Sequence, residues 1–343
     1  MNLVTAALTI ALAGVSLAAQ AQQITGAGAT FPAPLYDAWG AAAKPAIGID
    51  LNYQALSSGA GVTQILNRTL DFGASDEPID PERLRSANLL QFPTVTGAVV
   101  VIVNIPGIEE NQLKLTGDVI GDIYLGKITR WNDPRIAELN PDLQLPHLAV
   151  VPIFRAGSSG TNFIFTSYLS AVYPTWNEHV GTGTSVRWLA GSGAKGNSGV
   201  ALTVGSTRGG VGYVESALAT RNHLVTAQLR NKAGKFVSPT REAYQAAAAS
   251  ADWNRALNFA VSLIDQAGDQ TWPIVAATFV LLPKDPRDPV SSANVLKFFD
   301  WAYANGGQAA EDLEYLPLPA DVQDAVRKAW RLDVKGPDGK PVF

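Results

Sequence analysis

The chain has 343 residues, a formal net charge of −4, and 47% hydrophobic and 16% charged residues. This composition supports a large buried core divided into two lobes, and it offers no basic surface that would attract nucleic acid or an anionic membrane. The sequence contains no cysteine, which excludes disulfides, thiol catalysis and a cysteine-linked lipid anchor. An anionic ligand would therefore have to be recognised locally.

The first 21 residues predict a secretory signal peptide. They carry no charge, and the apolar run at 3–19 leads into the small-residue motif Ala19-Gln20-Ala21. The run is too short and too rich in alanine to favour a membrane anchor, and the motif predicts cleavage near Ala21. We therefore expect a mature protein that is periplasmic and carries no membrane-inserted segment.

Beyond residue 21, short apolar segments alternate with helical patterns. The patterns predict strands at 49–53, 70–74 and 148–153, and helices at 59–67, 81–87, 117–125, 134–139, 161–171 and 197–205. Amphipathic helices at 288–305 and 321–331 are expected to close the chain. The alternation of strands and helices predicts an α/β protein with a mostly parallel sheet.

Two long apolar runs, at 96–106 and 272–282, predict buried strands that carry the chain out of a first lobe and back into it. Lobe I would comprise residues 22–95 and 276–343, and lobe II residues 96–275. Ligands of open α/β sheets bind beyond the carboxyl ends of the strands. We therefore expect the ligand in a cleft between the lobes.

Three segments place small and hydroxyl residues directly before helical patterns: 26–31 (GAGATF), 57–61 (SSGAG) and 155–161 (RAGSSGT). The start of a helix offers unpaired N–H groups and a partial positive charge, which can hold a tetrahedral anion without clustered basic side chains. Each segment alone is more typical of ordinary helix capping. Their occurrence together, with one arginine and one carboxylate, favours a phosphate site.

Residues 121–127 (GDIYLGK) match the beginning of a nucleotide-binding P-loop. However, Ile128 occupies the position at which a Ser or Thr must bind magnesium. We therefore predict an ordinary helix that ends at Gly126.

The sequence shows no clear metal site or catalytic nucleophile. The three histidines are scattered, and no G-x-S-x-G motif surrounds the serines of the three segments. The residues considered for these roles are His147, His179, His223, Ser58, Ser158 and Ser159. A secreted phosphatase, the alternative from a different functional class, would need a metal cluster or an activated nucleophile.

Nearly the whole mature chain resembles the periplasmic phosphate-binding proteins of phosphate-specific ABC transporters. The resemblance rests on 25–34 (TGAGATFPAP), 71–76 (DFGASD), 121–127, Arg155 with 159–161 (SGT), 181–183 (GTG) and 297–303 (KFFDWAY). It implies a type II periplasmic binding fold, with two α/β lobes joined by two crossings. It also implies a monomeric receptor, without cofactor, metal or catalysed reaction, that delivers inorganic phosphate to the permease subunits of an ABC transporter.

The resemblance further implies eight phosphate-binding residues, which are Thr30, Phe31, Ser58, Asp76, Arg155, Ser159, Gly160 and Thr161. Backbone N–H groups, hydroxyls and the guanidinium would donate to the ligand oxygens. The carboxylate of Asp76 would accept the proton that phosphate still carries at neutral pH. Sulfate and molybdate carry no such proton, so Asp76 argues against the alternative of a receptor for another oxyanion.

Two departures from the family pattern lie within these segments. Gly157 stands where family members often have an aspartate that pairs with the arginine, so we expect Arg155 to be less restrained and less neutralised. Ser57 and Ala60 stand where glycines usually allow close approach, although the hydroxyl of Ser58 is kept.

Overall fold

The computed structural model describes residues 22–249, 251–253 and 256–343. The predicted signal peptide, residues 1–21, lies outside this part of the chain. Among the helices within it, none has the length and apolar character needed to cross a membrane.

The strands, in chain order, are β1 (Gln22–Gly28), β2 (Ile49–Ala55), β3 (Phe72–Ser75), β4 (Leu89–Val103), β5 (Lys114–Leu115), β6 (Val151–Arg155), β7 (Ser192–Ala194), β8 (Gly210–Glu215), β9 (Val225–Thr226), β10 (Gln228–Arg230), β11 (Phe236–Val237) and β12 (Val275–Pro283). The helices are α1 (Ala33–Ile47), α2 (Ser58–Leu66), α3 (Pro81–Ser86), α4 (Gly117–Tyr124), α5 (Pro134–Ala137), α6 (Gly160–Val172), α7 (Pro174–His179), α8 (Gly196–Ser206), α9 (Ser216–Arg221), α10 (Arg241–Ala248), α11 (Pro289–Asn305), α12 (Gly307–Asp312) and α13 (Ala320–Asp333).

Within the described residues, a nine-stranded mixed sheet has the order β2-β1-β3-β12-β4-β8-β6-β7, with β9 beside β4. On one flank β2, β1 and β3 run parallel, and on the other β8, β6 and β7 run parallel. The centre is antiparallel, because β12 opposes both β3 and β4, and β4 opposes β8. The predicted parallel sheet is therefore correct for each flank and wrong for the centre.

Strand β4 lies at the centre of the sheet, between β12 and β8. All of its residues are buried; it pairs with β12 from Leu89 to Ala98 and with β8 from Val99 to Val103. It begins seven residues before the predicted apolar run, because Gln91 is buried with its side-chain oxygen accepting the backbone N–H of Ile79. A polar residue whose hydrogen bonds are satisfied can lie inside a strand, and the hydrophobic pattern does not reveal it.

Most other predicted elements are present with shifted ends. Strand β6 begins and ends later than the predicted 148–153, so that Arg155 is its last residue, and α5 ends before the predicted residue 139. Helix α1 is the helical pattern expected directly after residues 26–31, although its bounds were not predicted because Gly40 and Pro45 weaken helical propensity. It forms because it buries Tyr36 and Trp39 against the core, and such tertiary packing outweighs local propensity.

Candidate functional site: the cleft between the lobes

The helix starts at α2 and α6 are both capped by serines. The hydroxyl oxygen of Ser57 accepts from the backbone N–H of Ala60 at 3.2 Å, and that of Ser159 accepts from Asn162 at 3.4 Å. Capping is therefore confirmed, and it leaves other amides of the same turns unpaired. Among the described residues, no acceptor is recorded for the backbone N–H groups of Gly160 and Thr161. These amides are available to an anion.

One wall of the cleft is formed by Asp76, which directly follows β3 and is 2% exposed. Its Oδ1 accepts a hydrogen bond from the hydroxyl of Thr278 at 2.7 Å. The hydroxyl of Ser58 accepts the backbone N–H of Asp76 at 3.2 Å and lies 3.5 Å from Oδ2. The residue after β3, the first residue of α2 and a residue within β12 thus bring a carboxyl group and two hydroxyls together.

Burial raises the pKa of Asp76 from 3.8 to about 7. The hydrogen bonds from Thr278 and Ser58, and the positive charge of Arg155, oppose this increase to a smaller extent. Burial disfavours the charged form of a carboxyl group, and here the opposing contacts do not cancel that effect. Asp76 can therefore exchange a proton near neutral pH.

The opposite wall is formed by Arg155, which is also 2% exposed. Its Nε donates to Oδ1 of Asn197 at 2.7 Å, and its Nη1 donates to the carbonyls of Ala156 and Ala194 at 3.2 and 3.3 Å. No acceptor is recorded for Nη2 in the described part of the chain, so one edge of the guanidinium is held and the other is free to donate. The expectation that Arg155 is poorly restrained is wrong, because a side-chain amide and two carbonyls hold it.

Gly157, at the position where family members often have an aspartate, is an exposed turn residue in this chain. Gly157 has φ +81°, and no heavy atom lies within 4 Å of where a Cβ would be. The acidic group nearest in the network is instead Glu215, which is 2% exposed and accepts a hydrogen bond from Nδ2 of Asn197. Burial raises the pKa of Glu215 to about 8; the charge of Asp76 raises it further, while Arg155 lowers it.

The start of α6 is in close contact with Ser58 and Asp76. A Cβ added to Gly160 would lie 2.3 Å from the Ser58 hydroxyl oxygen and 2.5 Å from Oδ2 of Asp76. The backbone N–H of Gly59 donates to the carbonyl of Ser158 at 3.1 Å, which ties the two helix starts together. The structure therefore brings the predicted site residues Ser58, Asp76 and Gly160 into contact with one another.

Thr30 and Phe31 lie at the end of the segment that precedes α1. Thr30 is partly exposed and lines, with Asn197 and Glu215, a cavity of about 590 Å³. Phe31 is fully buried, and its carbonyl accepts from the Tyr315 hydroxyl at 2.5 Å. Thr30 thus lies at the mouth of the cleft, and Phe31 fixes the backbone beside it.

The second departure from the family pattern is also explained. Ser57 serves as the cap of α2, and the closest approach of this helix to the sheet occurs at Gly61. A Cβ there would lie 2.6 Å from the carbonyl oxygen of Ala27 and 2.8 Å from that of Ala74. Gly61 therefore keeps the close contact that Ser57 and Ala60 do not provide.

Three polar residues of this site were not found from the sequence: Thr278, Asn197 and Glu215. Each had a signal. Thr278 is a polar residue in the middle of the apolar run at 272–282, and Glu215 ends the buried strand β8. Asn197 begins the predicted helix at 197–205. A polar group that interrupts an apolar segment needs a partner, and that partner can be a functional side chain.

The motifs set aside in the sequence have ordinary structural roles. Residues 121–127 lie in and after α4, which ends at Tyr124 and is followed by Gly126 with φ +76°, as predicted. His147, His179 and His223 are all exposed. Over residues 22–249, 251–253 and 256–343, no group of three or more His, Asp or Glu side chains is arranged to hold a metal ion.

Known proteins share both the sequence and the fold. Residues 14–305 match the PBP superfamily domain. The phosphate-binding protein PstS of Pasteurella multocida is 46% identical over 336 residues, covering 98% of each chain, and that of Haemophilus influenzae is 46% identical, covering 92% of this chain and 95% of the relative. The solved periplasmic phosphate-binding protein PfluDING, bound with phosphate, has a TM-score of 0.70 at 20% identity, covering 90% of this chain and 94% of its own.

These likenesses agree with the architecture described above. The shared fold is the two-lobed type II periplasmic binding fold, in which a mixed sheet continues through both lobes. The chain belongs to the PBP superfamily and, within it, to the family of PstS phosphate-binding proteins.

Proposed function

We propose that this chain is a receptor for inorganic phosphate, which it binds without its water shell between the two lobes. The observation that carries the proposal is the pairing of a buried carboxyl group and a buried guanidinium on opposite walls of one cleft, Asp76 and Arg155. Its relatives are named phosphate-binding proteins, which agrees with this choice of ligand.

The donor groups of the cleft suit a tetrahedral anion. A dehydrated anion loses strong hydration, so each of its oxygens must find donors in the protein. The candidates are the N–H groups of Phe31, Gly160 and Thr161, the hydroxyls of Thr30, Ser58 and Thr161, the guanidinium of Arg155, and Ser159 as the cap of the α6 turn. Helix N-termini add favourable partial charge without a large basic field.

Asp76 gives the site a means of selecting phosphate over sulfate. A phosphate ion at neutral pH can donate its proton to the carboxylate, whereas a sulfate oxygen would face a lone pair and a like charge. A site that requires such a hydrogen bond can reject an analogue by about 10⁴- to 10⁵-fold. The pKa of Asp76, raised by burial to about 7, places its proton exchange in the range where phosphate is itself partly protonated.

Delivery of the ligand requires a partner that recognises the closed form. We propose that the receptor acts as a monomer in the periplasm, after removal of its signal peptide near Ala21, and passes phosphate to the permease subunits of an ABC transporter. Closure would bend the chain near Val95 and Ala276, where lobe I (22–95 and 276–343) meets lobe II (96–275). No reaction is catalysed in this scheme.

A secreted phosphatase is the competing function from another class. The candidate nucleophiles would be Ser58, Ser158 and Ser159. Ser158 donates to the hydroxyl of Thr184 and Ser159 accepts from the amide of Asn162, so neither of these contacts supplies the general base that activates a serine. The Ser58 hydroxyl accepts the backbone N–H of Asp76 and lies 3.5 Å from its Oδ2, at the outer limit of a hydrogen bond. Release of phosphate from an aryl phosphate ester by the purified protein would favour the phosphatase.

The decisive experiment is calorimetric titration of the mature, phosphate-stripped protein with phosphate and, separately, with sulfate. We expect tight one-to-one binding of phosphate and no detectable heat with sulfate. Tight sulfate binding would contradict the assignment of phosphate as the selected ligand. The absence of heat with phosphate would contradict the receptor function.

A further inference from the structure

Asn197 contacts both of the ligand-facing groups on the Arg155 wall. Its Oδ1 accepts from Nε of Arg155 at 2.7 Å, and its Nδ2 lies 3.0 Å from the hydroxyl oxygen of Thr161. Its Nδ2 also donates to Oε2 of Glu215. The side chains of Asn197 and Glu215 are each 2% exposed, so these contacts are made away from solvent.

The orientation of this amide follows from its partners. The Nε of an arginine can only donate, so the atom of Asn197 that faces it must be the oxygen. The NH₂ group of Asn197 then faces Glu215 and Thr161. A carboxyl oxygen of Glu215 accepts one of its hydrogens, which makes the opposite orientation of the amide unfavourable.

The same orientation determines what the Thr161 hydroxyl can do. When its oxygen accepts from Nδ2 of Asn197, its hydrogen is left to donate elsewhere. The longer contact to Oδ1 of Asn197, at 3.3 Å, is the one in which that hydrogen would be consumed. The shorter contact favours a hydroxyl that donates into the cleft.

We infer that Asn197 and Glu215 are positioning residues of the phosphate site: Glu215 fixes the Asn197 amide, which holds Arg155 by its Nε and leaves the Thr161 hydroxyl to donate to the ligand. The inference rests on the proposed phosphate-receptor function. It also explains how this chain restrains its arginine although Gly157 provides no carboxylate.

The test is a set of phosphate titrations by calorimetry on purified variants of the mature, phosphate-stripped protein. Asn197→Leu and Glu215→Leu should each lower phosphate affinity about 10- to 100-fold, because each leaves buried polar groups without a partner. Glu215→Gln should lower it by no more than a few-fold, since a glutamine oxygen still accepts from Asn197.

A double-mutant cycle distinguishes positioning from general stability. In Arg155→Lys, which has no Nε–H group in the same place, Asn197→Leu should lower affinity by only a few-fold. The matched control is Asn140→Leu. Asn140 is also buried but bonds to Lys114 and to the carbonyl of Ile136, so this change should lower the free energy of unfolding in urea and leave phosphate affinity unchanged.

Two results would overturn the inference. One is an equal loss for Asn197→Leu in the wild-type and Arg155→Lys backgrounds, and the other is a loss for Glu215→Gln as large as that for Glu215→Leu. Should Asn197→Leu not fold, the two Glu215 variants still decide between the outcomes. A wild-type protein that gives no heat with phosphate would refute the proposed function itself, before any variant is compared.

Discussion

Each of the two walls of the cleft buries one ionisable group at 2% exposure, but the groups that surround it differ between the walls. Asp76 is surrounded by hydroxyls, those of Thr278 and Ser58, and burial raises its pKa to about 7. Arg155 is surrounded by acceptors, the Asn197 amide and backbone carbonyls, which hold it in one orientation. One wall can therefore take up a proton, while the other can only donate.

This difference suits a ligand that is both an anion and a proton donor. Either wall alone would recognise a broader class of molecules, because a guanidinium donates to any oxyanion and a buried carboxylate accepts from any hydrogen-bond donor. A change at Asp76 should therefore reduce selectivity for phosphate, and a change at Arg155 should reduce affinity. The predictions below separate these two losses.

The largest effect is expected for selectivity in Asp76→Asn. An asparagine NH₂ can donate to a sulfate oxygen, so the ratio of phosphate to sulfate affinity should fall on the order of 10⁴-fold. Calorimetric titration with both anions measures the ratio. Asp71→Asn is the matched control: Asp71 accepts the backbone N–H of Thr25 at 2.7 Å outside the cleft, so its ratio should not change. An unchanged ratio in Asp76→Asn would remove the proposed role of this carboxylate.

Affinity, rather than selectivity, should be lost in Arg155→Ala. Removing the guanidinium leaves a buried anion under-compensated, which costs about 2–5 kcal/mol of binding free energy. The control is Arg135→Ala, because Arg135 is largely exposed and pairs with Asp122 and Asp133 at a distance from the described cleft contacts. If Arg155→Ala binds phosphate as the wild type does, the anion site lies elsewhere.

A smaller loss is expected for Gly160→Ala, which tests the contact between the two walls. The added methyl group would overlap the Asp76 carboxylate and the Ser58 hydroxyl, and such overpacking costs about 1–3 kcal/mol. Phosphate affinity should fall by the corresponding factor. Gly205→Ala, an exposed helical position with ordinary contact distances in α8, should bind phosphate like the wild type. Equal affinities for both variants would show that closure does not depend on this contact.

On both walls, the sequence predicted the residues that face the ligand better than the residues that hold them. Asp76, Ser58 and the α6 start lie in short motifs at strand and helix ends, where local chemistry and the family resemblance both identify them. Asn197, which holds Arg155, comes from 42 residues away, and Glu215, which accepts from Asn197, ends the neighbouring strand β8. Such contacts depend on tertiary arrangement, so a local pattern could not show that the arginine is restrained without an aspartate at Gly157.

The same limit applied to the fold. The α/β class and most helices followed from periodicity, because a buried face is encoded in consecutive residues. The antiparallel centre did not follow, since the direction in which β12 enters between β3 and β4 depends on where the chain returns from lobe II. A helix was expected directly after residue 31, but its bounds did not follow, because the extent of α1 past Gly40 and Pro45 depends on the packing of Tyr36 and Trp39.

A pH-dependent effect on stability should follow from the raised pKa of Asp76. The folded protein holds this proton more tightly than the unfolded chain, so the stabilisation is complete below the unfolded pKa of 3.8 and is lost as the pH rises through about 7. The free energy of unfolding of phosphate-stripped protein, measured in urea, should therefore decline over this range, and it should decline less in Asp76→Asn. Identical slopes for the two proteins would contradict the raised pKa of Asp76. Glu215, with a pKa raised to about 8, adds a decline of the same sign in both.

The smallest effect is expected for ionic strength, and it separates the local arrangement of the two walls from the field of the whole molecule. The net charge is −4, so the protein as a whole does not attract an anion. The groups that do attract it, Arg155 and the helix starts, are buried and are therefore screened much less than exposed charges. Phosphate affinity should change by no more than a few-fold between about 0.05 and 0.5 M NaCl. A steep loss over that range would mean that exposed cations such as Lys195, at the mouth of the cleft, contribute more to binding than the buried walls do.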